Sequence, residues 1–308
     1  MPADFITRSG LVGQRDIVTG SIDHSYTWLF DKRAVESFTG DVQILGNWKY
    51  NDFAHGGPIL NRYLHVNANA RLHGGWNVGV SYFQESFGYD STIYRSYGVL
   101  QPNGTVTPFT GGGDRLPNHD YVLSFSTPSW KHFDANVFTL AGLNDENYAE
   151  WASARIWSTS IGMNIRPSDQ LRMNATYTDN RYYRVTDGSR VLLQDVARGT
   201  LEYQLSRAFQ LRVISQYSVD SRDVLRDDSR TNLPLVIKSG STYVPATAYD
   251  NRGLQTNFLF TYLPTPGTVV YFGYGNLRQQ PDGLNRPQLS AVQSDFFLKL
   301  SYLWRMRG

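Results

Sequence analysis

Leu171-Arg172-Met173-Asn174-Ala175-Thr176-Tyr177-Thr178 reads as two interleaved rows. Leu171, Met173, Ala175 and Tyr177 make one row, and Arg172, Asn174, Thr176 and Thr178 make the other. Successive residues of an extended chain point to opposite faces, so this octet is a strand with one apolar and one polar face.

The same alternation recurs in both directions. Upstream it runs through residues 151–165, 133–143, 120–126, 76–85, 63–72, 41–50 and 19–30. Downstream it runs through 196–205, 209–219, 254–263, 268–275 and 295–304. That is about thirteen strands, most of them near the roughly 9–11 residues that cross a bilayer when tilted. The polar rows are rich in Asn, Ser, Thr and Gln, as a watery interior requires. The apolar rows carry aromatics towards their ends, among them Trp28, Trp48, Tyr50, Trp76, Tyr262 and Trp304. Aromatic girdles at two membrane interfaces have that placement. His24 and Arg155 interrupt the apolar rows.

Connections alternate between short and long. His73-Gly74-Gly75, Pro128-Ser129-Trp130, Pro167-Ser168-Asp169, Arg207-Ala208 and Pro264-Thr265-Pro266-Gly267 are short turns. Residues 51–57, 86–119, 179–194, 220–252 and 276–293 are long polar segments. Short turns on one rim and long loops on the other mark an outer-membrane barrel, with the turns periplasmic. The expected fold is therefore all-β: a transmembrane antiparallel up-and-down β-barrel forming one domain over residues 1–308. The expected location is the outer membrane of a Gram-negative bacterium, with outer-membrane lipid, lipopolysaccharide and the barrel-assembly machinery as partners.

Composition narrows the alternatives. The chain has 308 residues, 20 Tyr, 16 Phe, 7 Trp and a formal charge of +2, so it offers no electrostatic case for nucleic acid. It has no Cys, which removes disulfides, thiolate metal sites and thiol chemistry. Mean hydropathy is mildly polar. No stretch approaches the roughly 18 consecutive apolar residues of a membrane helix. Met1-Pro2-Ala3-Asp4-Phe5-Ile6 lacks the basic and apolar regions of an export signal, so a signal already removed or a longer parent protein is expected.

The last third resembles a known family. Asn251-Arg252-Gly253-Leu254-Gln255-Thr256-Asn257, then Pro264-Thr265-Pro266-Gly267-Thr268-Val269-Val270-Tyr271, then Asp295-Phe296-Phe297-Leu298-Lys299-Leu300-Ser301-Tyr302-Leu303-Trp304 carry the likeness. Together they resemble the C-terminal barrel region of the bacterial domain of unknown function 5916 family. His55-Gly56-Gly57-Pro58 is similar to that family's Arg-Gly-Gly-Pro, with His in place of Arg. Members usually carry an N-terminal module resembling family 9 carbohydrate-binding modules. The resemblance implies a surface protein that handles glycans, with oligosaccharides as partners and the chain as the C-terminal part of a longer protein.

Catalytic and cofactor motifs are not found. There is no Gly-x-Ser-x-Gly elbow, His-Glu-x-x-His pair or phosphate loop, so no catalytic residue, resident metal or cofactor is assigned. Two acidic groups, Asp145/Glu146/Glu150 and Asp220/Asp223/Asp227/Asp228, have the oxygen donors for Ca²⁺. Arg222, Arg226 and Arg230 are interleaved with the second, which favours a self-neutralising loop. Tyr89, Tyr94 and Tyr97 lie among polar loop residues and could stack on sugar rings or pack on the rim. Arg172, Arg198 and Arg212 fall on the inward rows of three consecutive strands with Glu202 beside them. They read either as structural ion pairs or as an Arg-lined constriction for anions and oligosaccharides.

The functional expectation is a channel, conduit or membrane anchor. A barrel enzyme and a soluble all-β glycan-binding protein are the alternatives. An odd strand count also predicts that the wall needs further strands, because whole bacterial barrels have an even number. Those strands come from the rest of the protein, or residues 5–13 supply a fourteenth against residues 295–304.

Overall fold

The computed structural model describes residues 16–31, 34–265, 267–280 and 288–302. In chain order the strands are β1 (Ile17–Leu29), β2 (Val35–Lys49), β3 (Asn61–Leu72) and β4 (Trp76–Gly88), with a short helix α1 (Tyr50–His55) before β3. β5 (Tyr97–Leu100) and β6 (Val106–Pro108) follow, then β7 (Arg115–Ser126), β8 (Phe133–Asn147), β9 (Ala152–Ile165), β10 (Leu171–Arg184), β11 (Arg190–Gln204) and β12 (Phe209–Arg222). The chain continues through β13 (Leu235–Ser239), β14 (Thr242–Pro245), β15 (Tyr249–Thr265), β16 (Thr268–Gln279) and β17 (Ser290–Tyr302).

Thirteen of these strands form one antiparallel sheet in the order β1-β2-β3-β4-β7-β8-β9-β10-β11-β12-β15-β16-β17. Every neighbour in that sheet is the next long strand along the chain, which is an up-and-down meander. The thirteen alternating runs in the sequence correspond to these thirteen strands. Tight turns follow local chemistry: between β3 and β4 both Gly74 and Gly75 adopt positive φ, 86° and 88°, where a side chain would be strained.

Register carries each alternating row across the wall. Arg172 lies opposite Glu202, and Glu202 opposite Arg212. Leu201 lies opposite Met173 and Val213. Polar thus stays with polar and apolar with apolar, as two-residue periodicity demands.

The sheet is strongly curled. The β4–β7 and β12–β15 connections are six strand spacings apart along the wall, roughly 29 Å in a flat sheet at the usual spacing. Yet they pair with each other: β13 bonds to β5 with Leu235 opposite Val99, and the order β14-β13-β5-β6 makes a second sheet across one rim. Only a wall bent round on itself brings them together.

This small sheet was not foreseen. Residues 86–119 and 220–252 were expected to be plain loops, and their strands are three to five residues long. Such runs are too short to show periodicity, and their partners lie far away in the sequence. The helix α1 was missed for the same reason, being six residues long.

Among the described residues the wall ends at β1 and β17, which do not pair with each other. Both are exposed along nearly their whole length, on both faces. Residues 5–13, the proposed closing strand, lie outside the described residues. No described helix is long and apolar enough to cross a membrane.

Candidate functional site: the inner wall and its cap

The polarity of the fold is inverted. Large apolar side chains stand exposed on the outer rows of strands paired on both sides: Tyr121 is 52% exposed, Val80 50%, Leu123 49% and Phe272 47%. Meanwhile Glu150, Arg184 and Asp227 are fully buried. The inner rows present Asn67, Ser124, Ser160, Asn174, Thr176, Thr200 and Gln216, aligned strand to strand by the registers.

The apolar core sits at the loop rim, under the small sheet. Phe87, Tyr94, Val99, Phe109, Leu116, Trp151, Val191, Leu225, Leu235 and Ala246 cluster there. Each large side chain so buried contributes about 1.5–3 kcal/mol. The two long connections therefore fold into a packed cap. Tyr89, Tyr94 and Tyr97 belong to this packing. Tyr94 is 3% exposed and its ring stacks on Tyr89 at 5.1 Å, with Tyr97 edge-on at 5.3 Å. Its hydroxyl donates to the Tyr148 carbonyl at 2.7 Å. Burial pushes that hydroxyl's pKa well above the usual tyrosine range. Tyr94 therefore has no open face for a sugar ring, which corrects the stacking-loop expectation at that residue; Tyr89 and Tyr97 are half-buried.

An ionic latch holds the cap to the wall. Arg184, at the end of β10, donates Nη2 to Glu150 Oε1 at 2.6 Å and Nε to Glu150 Oε2 at 3.0 Å. Nη1 reaches Asp223 Oδ2 at 2.7 Å and Ser189 Oγ at 2.9 Å, and Nη2 also reaches the Val224 carbonyl at 2.8 Å. Glu150 additionally accepts Asn147 Nδ2 and the Arg226 backbone N–H, each at 2.9 Å. Arg226 in turn donates to Asp187 and Asp228. One guanidinium thus ties together the β8–β9, β10–β11 and β12–β15 connections. The acidic groups singled out in the sequence supply its partners, and Asp227 accepts from Arg230 and Thr231. Among the described residues no three acidic or His side chains converge on one metal-sized point. Sequence reasoning placed these residues in acidic loops but missed the latch, because Arg184 sits in a polar stretch with no local partner.

Beneath the cap lies a buried acidic cluster. His65 Nε2 is 2.5 Å from Glu85 Oε1, and Asn118 Nδ2 donates to Glu85 at 2.7 Å and Asp120 at 3.1 Å. Gly142 leaves room for two carboxylates: a Cβ there would lie 2.5 Å from Asp145 Oδ2 and 2.7 Å from Asp120 Oδ1.

At the opposite rim the lining is of mixed charge, and Arg166 pairs there with Asp134 at 2.5 Å. Arg172, Glu202 and Arg212 meet in a 380 Å³ recess with Arg166, Asn164 and Thr200. Arg212 Nε pairs with Glu202 Oε1 at 3.2 Å, both side chains over a third exposed. Such a solvated pair is worth about 1 kcal/mol or less. Arg172 has no ion-pair partner among the described residues. Arg198 stands apart, opposite Thr176 and Gln216, and is also without an ion pair there. The structure thus gathers three of the four inward residues singled out from sequence and pairs only Arg212 with Glu202. The inner wall carries Arg172 with the Arg166–Asp134 and Arg212–Glu202 pairs at the turn rim, Arg198 among hydrogen-bonding side chains in mid-wall, and buried carboxylates beneath the cap.

No family model matches the chain, and no curated protein matches it. Among solved structures it is similar to the porin NanC, at 11% identity and a TM-score of 0.29, over 79% of this chain and 94% of that one. It is also similar to OmpT, an outer membrane protein of Vibrio cholerae, at 11% identity and a TM-score of 0.31, over 94% and 97%. The CymD monoaromatic hydrocarbon channel gives 10% identity and a TM-score of 0.28, over 93% and 86%. The functional reading stands on the chain's own strands and side chains.

Proposed function

We propose that the chain is the wall of an outer-membrane β-barrel that forms a capped, polar conduit. The inverted polarity carries this reading. Exposed apolar rows spread over the sheet's outer face would drive association in water but are matched by lipid. The loop rim with its cap is then extracellular and the turn rim periplasmic. The ends of the described wall, β1 and β17, are exposed on both faces, and lipid tolerates no open strand edge.

The lining sets the kind of solute. Side-chain amides and hydroxyls suit a hydroxyl-rich molecule, and the resemblance to a family linked to glycan binding supports an oligosaccharide. Arg172 and Arg198, which make no ion pair among the described residues, favour anionic forms.

Detergent extraction and heat-modifiable migration in SDS test the barrel reading. A monomeric protein well dispersed in plain buffer refutes it. Planar-bilayer recordings on the wild type and on an Arg172→Ala/Arg198→Ala/Arg212→Ala variant test the conduit. We expect anion preference in the wild type and a shift toward cations in the variant. Unchanged selectivity assigns the arginines to structure alone.

A further inference from the structure

The outer face carries a groove that the conduit does not use. Register aligns Gly20 of β1, Gly46 of β2, Arg62 of β3 and Ser86 of β4 in one outward row. The next outward row toward the turn rim is Ile22, Ile44, Leu64 and Gln84. Gly20 leaves this face without a side chain, and over Gly46 the ends of Ile59 and Trp48 close down onto the backbone. The result is a recess of 760 Å³, with Trp48 and Ile59 at its edge. That volume is within the usual range of small-molecule sites.

Its loop-rim end is cationic. Arg115 is committed: Nε donates to Ser86 Oγ at 2.9 Å, Nη1 to the Ile59 carbonyl at 3.0 Å, and Nη2 to the Leu60 and Ser86 carbonyls at 3.1 and 2.9 Å. Arg62 is exposed, lies close enough to Arg115 for the two charges to repel, and makes no ion pair or hydrogen bond among the described residues. An apolar floor below an uncommitted guanidinium, beside a second held in place, is complementary to an acyl chain below an anionic headgroup. We infer that this groove is a docking site for one membrane lipid bearing a phosphate headgroup and net negative charge. Arg62 meets the phosphate while an acyl chain lies over Gly20 against Ile22 and Ile44. This rests on the membrane reading above.

Gly20 supplies a clean probe. A Cβ there meets only the Trp48 ring, at the ordinary distance of 3.6 Å, so Gly20→Leu starts from an unstrained Cβ and directs its branch into the groove. Gly46 is unsuitable, since its Cβ would lie 2.5 Å from Ile59. The test reconstitutes the protein in nanodiscs of phosphatidylcholine with a minor fraction of phosphatidylglycerol. Lipid retained after stripping to detergent is quantified by mass spectrometry. The wild type should retain phosphatidylglycerol above its bulk ratio. Arg62→Gln and Gly20→Leu should each return retention to the bulk ratio, while the lumenal control Arg172→Gln should not. No enrichment in the wild type, or enrichment that survives either groove variant, overturns the site. Heat-modifiable migration of the same samples reports separately on the barrel, so a misfolded variant or a failed membrane reading is told apart from a failed lipid site.

Discussion

Replacing Arg184 by Ala should open the cap and leave the wall standing. The guanidinium is completely buried and grips an equally buried Glu150 through Nε and Nη2, besides its bonds to Asp223, Ser189 and the Val224 carbonyl. Truncation strands that carboxylate with only Asn147 Nδ2 and the Arg226 N–H. Breaking a buried pair from one side costs about 3–5 kcal/mol. The cost falls on the closed state alone, because in the open state Glu150 is hydrated. At about 1.4 kcal/mol per factor of ten, cap opening should become roughly two to three and a half orders of magnitude more frequent. Hydrogen exchange on the detergent-folded protein reads this directly. Amides of β5 and β13 should lose protection by that factor, while those in the middle of β10 and β11 keep theirs. Glu150→Gln keeps the shape and leaves Arg184 paired with Asp223, so its loss should be smaller. Unchanged cap exchange in Arg184→Ala would refute the latch. Equal loss in the wall strands would show that Arg184 supports the barrel and not the cap.

Two further outcomes are expected. Leu201→Arg and Leu300→Arg should impair insertion while Thr200→Arg and Ser301→Arg are tolerated, because Arg facing lipid costs roughly 2–4 kcal/mol near the midplane and far less facing water; equal yields of heat-modifiable protein from all four would reject the face assignment. The Asp187–Arg226 contact beside the latch should also weaken in acid. Asp187, in the β10–β11 connection, is held well below the usual carboxylate range by the Ser189 hydroxyl and backbone N–H and by Arg226. A depressed carboxylate contributes above its unfolded pKa and loses that contribution as pH falls through its folded value. Amides of the β10–β11 connection should therefore exchange faster as pH drops below the ordinary carboxylate range, after correction for intrinsic rates, and Asp187→Asn should flatten that dependence.

The wall was legible in the sequence because alternation is a local signal repeated along each strand. Rows such as Leu171–Met173–Ala175–Tyr177 located the strand centres and their faces. They underestimated the strand ends at the loop rim. There β10 runs on to Arg184 and β11 starts at Arg190, in stretches where both faces are polar or packed under the cap. Alternation fades once the outer face leaves lipid and the inner face meets a core. The cap was illegible for a different reason. Val99 and Leu235 pair across the curled wall, and no local pattern links them. The arginines were found because they sit inside regular strands. That Arg212 pairs with Glu202 while Arg198 stands apart is set by register, which the sequence implies only once neighbouring strands are aligned.

The β5–β13 pairing has a consequence for assembly. Its partners are about 136 residues apart, and closing so long a flexible loop costs roughly 4 kcal/mol in chain entropy. A handful of bonds between short strands repays that poorly. Once β7 through β12 are zipped and curved, the two segments are already delivered to the same place, and the cost has been met by the wall. The cap therefore forms last and only on a correctly counted wall. Loss or duplication of a single hairpin would move the two connections by two strand spacings, about 10 Å, and the mates would miss each other. The cap is thus a gauge of strand number: its closure reports that the intervening staves are all present and in order.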